Sequence, residues 1–342
     1  MNAVVRPRLL FVGNFRWNAG SAQTLMNYAA VADRVGCEIG VSSGVGWADE
    51  RVSGVLPMID DLSWATHLLF AYEDPQFLSH REIEACLTVP RDRRVVIDTD
   101  AHWGPEVTVG GDSSGGIYTS ARWNSLYATL SDLILQPRLG DLPAGAVFFP
   151  YFGMARPQNG TVDSTDCDVQ YIGNNWWRWE SLQRLVTAAR KHTKSVRVCG
   201  RWWDAETCPG YREPTWSDPD WLAQQAVEVQ QSVPLGQMVP HMARATVTPV
   251  LARPKLAAMK LLMPRVFETL ASGSIPLIAP ETAYLEQLLG PGTRSLLMDE
   301  DVIGRMIADP GAYTPLLTDM QRRTYADFTY EKVLASLLRI IT

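Results

Sequence analysis

The chain has little of several things, and each shortage narrows what it can be. Its 342 residues include only five cysteines, Cys37, Cys86, Cys167, Cys199 and Cys208, with no Cys-x-x-Cys spacing. So few, odd in number and so spread, they make neither a disulfide framework nor a zinc cluster. No apolar run approaches the ~18 residues that cross a bilayer. The opening stretch, Met1 to Phe15, has only Leu9 to Val12 before Gly13, too short for the apolar part of a secretory signal. A cytoplasmic protein whose opening stretch is a first strand is expected. Basic charge is short as well: 31 Lys and Arg against 37 Asp and Glu leave a net charge of −6. Bulk attraction to a nucleic-acid backbone or an anionic lipid surface is therefore not expected, and nucleic acid is left out of the expected partners. Fixed-period repeats and low-complexity tracts are lacking too. Tryptophan is what the chain has in plenty. Trp176, Trp177, Trp179, Trp202, Trp203, Trp216 and Trp221 fall within one third of it, and such rings fill cores or form flat platforms for sugars and bases.

At this length two domains are expected, with a cleft between them as the binding place. Apolar runs at Arg8–Val12, Glu38–Ser42, His67–Phe70, Arg94–Ile97, Leu133–Gln136 and Ala146–Phe149 alternate with helical patterns. The clearest of those helices is Ala22–Val35, with Ser21 as its cap. The stretch 153–166, rich in Pro, Gly, Asn, Ser and Thr taken together and with little periodic apolar signal, reads as a linker. A second series follows at Asp168–Ile172, Ser195–Cys199, Ala245–Val250 and Ser274–Ala279. Strand and helix in alternation make an α/β protein with mostly parallel sheets. The expected domains are 1–155 and 165–317, with the closing segment 318–342 returning to the first.

The most informative segment is 264–281, Pro-Arg-Val-Phe-Glu-Thr-Leu-Ala-Ser-Gly-Ser-Ile-Pro-Leu-Ile-Ala-Pro-Glu. Pro264 suits a first helical position, Gly273 a left-handed residue past the end, and Ile275–Ala279 a buried strand. Val266 with Leu270 and Phe267 with Ala271 form an apolar stripe. Arg265 and Glu268, three apart, share the other face near the positive end of the helix dipole. A cation beside free backbone N–H groups suits a diphosphate, and a carboxylate there suits a vicinal diol such as a ribose. Three further loops are expected to converge on this helix: Gly173-Asn174-Asn175, Gly200-Arg201 and Val239-Pro240-His241. Gly173 would admit a phosphate to the backbone, the asparagines would donate amide hydrogens, and Arg201 would fork onto phosphate oxygens.

Arg265-Val-Phe-Glu-Thr-Leu-Ala-Ser-Gly-Ser-Ile-Pro276 resembles the donor-site phrase of GT-B glycosyltransferases, in particular the CgeB-like group and the donor domains of glycosyltransferase families 1 and 4. The resemblance implies two facing Rossmann-like domains with a C-terminal helix crossing back to the first. It also implies a nucleoside-diphosphate sugar (UDP, dTDP or GDP) as donor, with no cofactor and no metal, and a small-molecule or glycan acceptor. It gives Glu268 the ribose. Many retaining relatives carry another glutamate eight positions upstream, where this chain has Lys260, a residue that either meets donor phosphate or lies along the surface. The resemblance further implies a bacterial enzyme decorating a natural product or a cell-surface polymer.

Asp98-Thr99-Asp100 after the run Val95–Ile97 invites a different reading, the metal-holding Asp-x-Asp of GT-A glycosyltransferases. Under the GT-B reading the same turn faces the acceptor, with Asp100 first and His102 second as general base for the attacking hydroxyl. Asn14, Asn18 and Ser21 in the first strand-to-helix loop would orient acceptor or donor phosphate. A GT-B nucleotide-sugar epimerase and a non-catalytic nucleotide-binding partner protein are the remaining alternatives.

Overall fold

Leu9, Leu10, Phe11 and Val12 have no exposed surface. A strand buried on both faces is what a continuous apolar run makes in a parallel sheet. In the computed structural model, which describes residues 6–15, 20–43, 47–48, 54–71, 79–116, 118–157, 165–234 and 236–342, this run is β1 (Arg8–Phe15). It is followed by β2 (Glu38–Ser42), β3 (Trp47–Ala48), β4 (Met58–Ile59), β5 (His67–Ala71) and β6 (Arg94–Ile97). A polar hairpin, β7 (Thr108–Val109) and β8 (Asp112–Ser113), precedes β9 (Leu133–Gln136) and β10 (Ala146–Phe148). The sheet runs β10-β9-β6-β5-β1-β2-β4, with β3 beside β1. β1 is flanked in parallel by β2 and β5, Leu10 lying opposite both Gly40 and Leu68.

The chain divides into two units. The first comprises Met1–Thr108, Ser113–Gly153 and Phe328–Thr342. Its helix α1 (Gly20–Val35) buries Ala22, Leu25, Tyr28, Val31 and Ala32. The closing segment was expected as one helix over 318–342. It is two, α2 (Thr314–Phe328) and α3 (Tyr330–Ile341), hinged at Thr329, whose side chain caps α3 by accepting from Lys332 N–H. Only from Phe328 does the chain count with the first unit. There α3 buries Tyr330, Val333, Leu334 and Leu337, and Tyr330 meets Tyr28 of α1 edge to face at 6.0 Å. A Cβ on Gly153 would come within 2.8 Å of the Tyr330 ring, so only glycine fits there.

The second unit comprises Val109–Asp112 and Met154–Asp327. Its strands are β11 (Cys167–Ile172), β12 (Val196–Cys199), β13 (Glu228–Gln230), β14 (Ala245–Val250) and β15 (Ile275–Ile278), in the order β13-β12-β11-β14-β15 with every pairing parallel. A parallel sheet sends the loop after each strand to one edge, the place where open α/β sheets hold ligands. Here that edge collects the segments that follow β11, β12 and β14.

Candidate functional site

The helix ahead of β15 spans Pro264–Ser272. Pro264 fixes its first turn, and Gly273, at φ +82°, ends it with its N–H on the Leu270 carbonyl. No side chain caps its N-terminus; Pro264 has no N–H and Val266 N–H donates to the Met263 carbonyl at 3.2 Å, so the positive end of the helix dipole is what an anion would meet. The helix is buried from Val266 to Ser272. Instead of facing water, the Arg265 and Glu268 side chains are only 14% and 10% exposed. Arg265 Nη1 lies 3.1 Å from Glu268 Oε2. The contact lacks hydrogen-bond alignment, and this buried oxygen has no hydrogen-bond partner among the described residues. A carboxylate taken out of water with an unmade bond is costly unless something else completes it.

Two further guanidiniums belong to the same charge cluster, and the sequence reading missed both. Arg178, ahead of the helix Trp179–Ala189, spends its donors on carbonyls of Asn174, Trp176 and Leu251, at 3.2 to 3.4 Å. Burial lowers its pKa first, and repulsion from Arg253 and Arg265 lowers it further against the opposing pull of Tyr171 and Asp112. Arg253, just past β14, pairs at 2.8 Å with the fully buried Asp112 and lies over the Trp177 ring, 4.9 Å from its centroid. Asp112 also accepts the Lys255 N–H at 3.2 Å, and Lys255 is itself fully buried. Three mutually repelling guanidiniums against two carboxylates leave a surplus of positive charge that suits a diphosphate. An Arg-Pro-Lys run closing a predicted strand was the available signal for Arg253.

The expected loops do come together, though several residues have other work. Arg201 N–H donates to Asn174 Oδ1 at 3.0 Å, and Asn175 N–H to the Arg201 carbonyl at 3.1 Å; the Arg201 side chain is exposed. Asn175 has no exposed surface and gives its amide to the Trp202 and Trp216 carbonyls, so it shapes loops and offers no donor to a ligand. Gly173 answers a packing demand: a Cβ there would stand 2.5 Å from the Tyr171 hydroxyl, and its carbonyl takes the Trp203 indole N–H. His241 is partly buried, and burial, with Arg244 and Arg197, lowers its pKa. The next residue, Met242, brings its sulfur within 3.8 Å of Arg265 Nη1. Lys260 is exposed at a left-handed turn, φ +55°.

In the first unit, Asp98 is fully buried and raised in pKa, burial being the largest cause. It accepts from His102 N–H at 2.9 Å, Trp103 N–H at 2.8 Å, Gln136 Nε2 at 2.7 Å and Tyr127 Oη at 3.4 Å. With both oxygens so occupied it cannot hold a metal, which removes the Asp98/Asp100 reading; among the described residues no group of three His, Cys, Asp or Glu forms a metal site. His102 is 3% exposed, stacked on Trp123 at 4.0 Å with Nδ1 at the Ser114 carbonyl. Such a ring is a wall, and a poor base for a soluble hydroxyl. Asp100 is half-buried on the same turn. Ser21 lies inside α1, which starts at Gly20, so it is not the cap. Asn14 lies in β1, one residue before its end, and Asn18 lies outside the described residues.

Residues 178–339 match the family model described as glycosyl transferase-like. Among curated proteins no sequence matches the chain significantly. Solved structures do match. The DNA modifying enzyme β-glucosyltransferase is 12% identical with a TM-score of 0.61, an α-glucosyltransferase in complex with UDP-glucose and DNA is 12% identical with 0.69, and T4 phage BGT with its UDP-glucose substrate is 12% identical with 0.60. In each case 98% of this chain and 99% of the other are covered. These matches overturn the exclusion of nucleic acid as a partner, since the similar structures include a DNA modifying enzyme and one bound to DNA. A net charge summed over two units does not describe the potential of any one groove. They also settle GT-B against GT-A. The chain as a whole has the GT-B fold.

Proposed function

We propose that the chain transfers a hexose from a uridine diphosphate sugar to an acceptor hydroxyl without a metal ion. The observation that carries this is Glu268, about nine-tenths buried beside Arg265 with one carboxylate oxygen unbonded. A ribose hydroxyl supplies the donor this oxygen lacks. The diphosphate then lies against Arg178, Arg253 and Arg265 and the positive end of the helix that starts at Pro264. Charge building on the leaving diphosphate as the glycosidic bond breaks is met by those guanidiniums, the task a divalent ion performs elsewhere. The structures similar to this chain contain UDP-glucose, which makes UDP-glucose the first donor to try.

Asp100 is assigned the acceptor proton. Arg201, Asn174 and His241 border the donor loops, and Asn14 is kept as an acceptor contact. The DNA bound by a similar structure puts a hydroxyl on nucleic acid beside a glycan hydroxyl as acceptor. The test is UDP release from UDP-glucose with excess EDTA, offering hydroxymethylated duplex DNA and neutral glycans in parallel. Transfer to either, undiminished by EDTA, supports the reading. Transfer that requires added Mn²⁺, or no binding of any nucleoside diphosphate in calorimetry, contradicts it.

A further inference from the structure

The second unit also has a hollow of about 380 Å³ lined by Arg212, Glu213 and Trp216, a size within the roughly 300–1,000 Å³ of small-molecule sites. Trp216 is 48% exposed, the most of any large apolar side chain among the described residues of this unit. An exposed indole is ordinarily loose, but this one is braced. Its ring meets Trp179 edge to face at 5.7 Å, and Trp179 meets Trp221 in the same way at 5.6 Å. Its carbonyl takes the amide of fully buried Asn175 at 2.6 Å, and its N–H reaches the Glu213 carbonyl at 3.3 Å. The rest of the loop is fixed too: Trp177 N–H donates to the Pro214 carbonyl at 2.7 Å, and buried Thr215 bonds the Tyr211 carbonyl and Cys208 N–H. Beside this ring the Arg212 and Glu213 side chains are exposed, and neither makes a hydrogen bond or ion pair among the described residues.

A fixed aromatic face flanked by one uncommitted guanidinium and one uncommitted carboxylate has the chemistry of sugar recognition. The apolar C–H face of a pyranose lies on the ring, and neighbouring hydroxyls donate to the carboxylate and accept from the guanidinium. The charge of this segment favours a neutral ligand over a polyphosphate. From Arg201 to Leu222 the chain carries two arginines and five carboxylates, Asp204, Glu206, Glu213, Asp218 and Asp220, a surplus that repels a phosphodiester strand and is indifferent to a neutral ring. We infer that this hollow is a binding subsite for a neutral saccharide. It does not depend on the donor reading, since it needs neither nucleotide nor Glu268.

The full chain, without nucleotide, is titrated with maltotriose, cellotriose and chitotriose by intrinsic fluorescence and calorimetry. At least one should give saturable binding that W216A weakens by ~10-fold or more, a loss on the scale of one aromatic contact, and that E213Q also weakens. W216F keeps a ring on the Trp179 brace and should retain part of the affinity. Melting temperature, and UDP affinity where UDP binds, should be the same in W216F as in the parent chain, which separates loss of the subsite from loss of the fold. The inference is overturned if no member of the panel binds, if W216A or E213Q binds the trisaccharides like the parent, or if an oligothymidylate binds through Trp216 in their place.

Discussion

Asp98 of the first unit and Glu268 of the second are both buried carboxylates, and they differ in how much of their bonding capacity the protein uses. Asp98 accepts from two backbone N–H groups, an amide and a phenol. Glu268 has one misaligned arginine and a buried oxygen with no hydrogen bond. Burial alone therefore says little about function. A carboxylate whose lone pairs are filled by its own chain is holding a turn together, whereas one left incomplete beside a surplus of guanidinium charge is arranged for something that arrives.

The largest effect is expected two residues past the saturated carboxylate. If Asp100 takes the acceptor proton, D100N should lower turnover by about 10²- to 10⁴-fold in single-turnover assays, with UDP affinity unchanged. Equal loss of UDP binding would place Asp100 on the donor side. Next comes D98A, which strands two N–H groups and the Gln136 amide. It should cost about 3 kcal/mol or more of stability, read as a lower urea midpoint. Nucleotide affinity of the folded fraction should stay where it was, and a midpoint that does not move would show that Asp98 is not the structural member of the pair.

R253A removes a guanidinium from the donor cluster and also uncovers Asp112. It should weaken UDP by about 1.5–3 kcal/mol, as a lost charged hydrogen bond does, while uridine, lacking phosphates, binds as before. An equal loss for uridine would mean the arginine supports the fold alone. The smallest change belongs to Lys260, exposed and outside the charge cluster: K260A should shift UDP affinity by less than about 0.5 kcal/mol. A larger shift would bring that lysine into the donor site after all.

Much of the fold was legible because it is local. Runs such as Leu9–Val12, Val95–Ile97 and Ile275–Ile278 are apolar enough to require burial on both faces, and they are β1, β6 and β15. β13, Glu228–Gln230, is a mostly exposed edge strand with no such run, and the hairpin β7–β8 is short and polar; neither left a pattern to read. The site divides along the same line. Arg265 and Glu268 were visible because three residues of helix hold them together. Arg178, Arg253 and Asp112 were not, because 75 residues separate the two arginines and 141 separate Asp112 from Arg253; only the folded unit brings them near. His102 and Asn175 were read toward ligands because polar residues after strands look the same whether they face a ligand or satisfy carbonyls inside the protein.

The most direct test of the central claim is calorimetry of UDP with the parent chain and with E268A, repeated with a UDP analogue lacking both ribose hydroxyls. If Glu268 completes its bonding on the ribose, the substitution costs about 1–3 kcal/mol with UDP and almost nothing with the analogue. Equal affinity of both proteins for UDP would contradict the account.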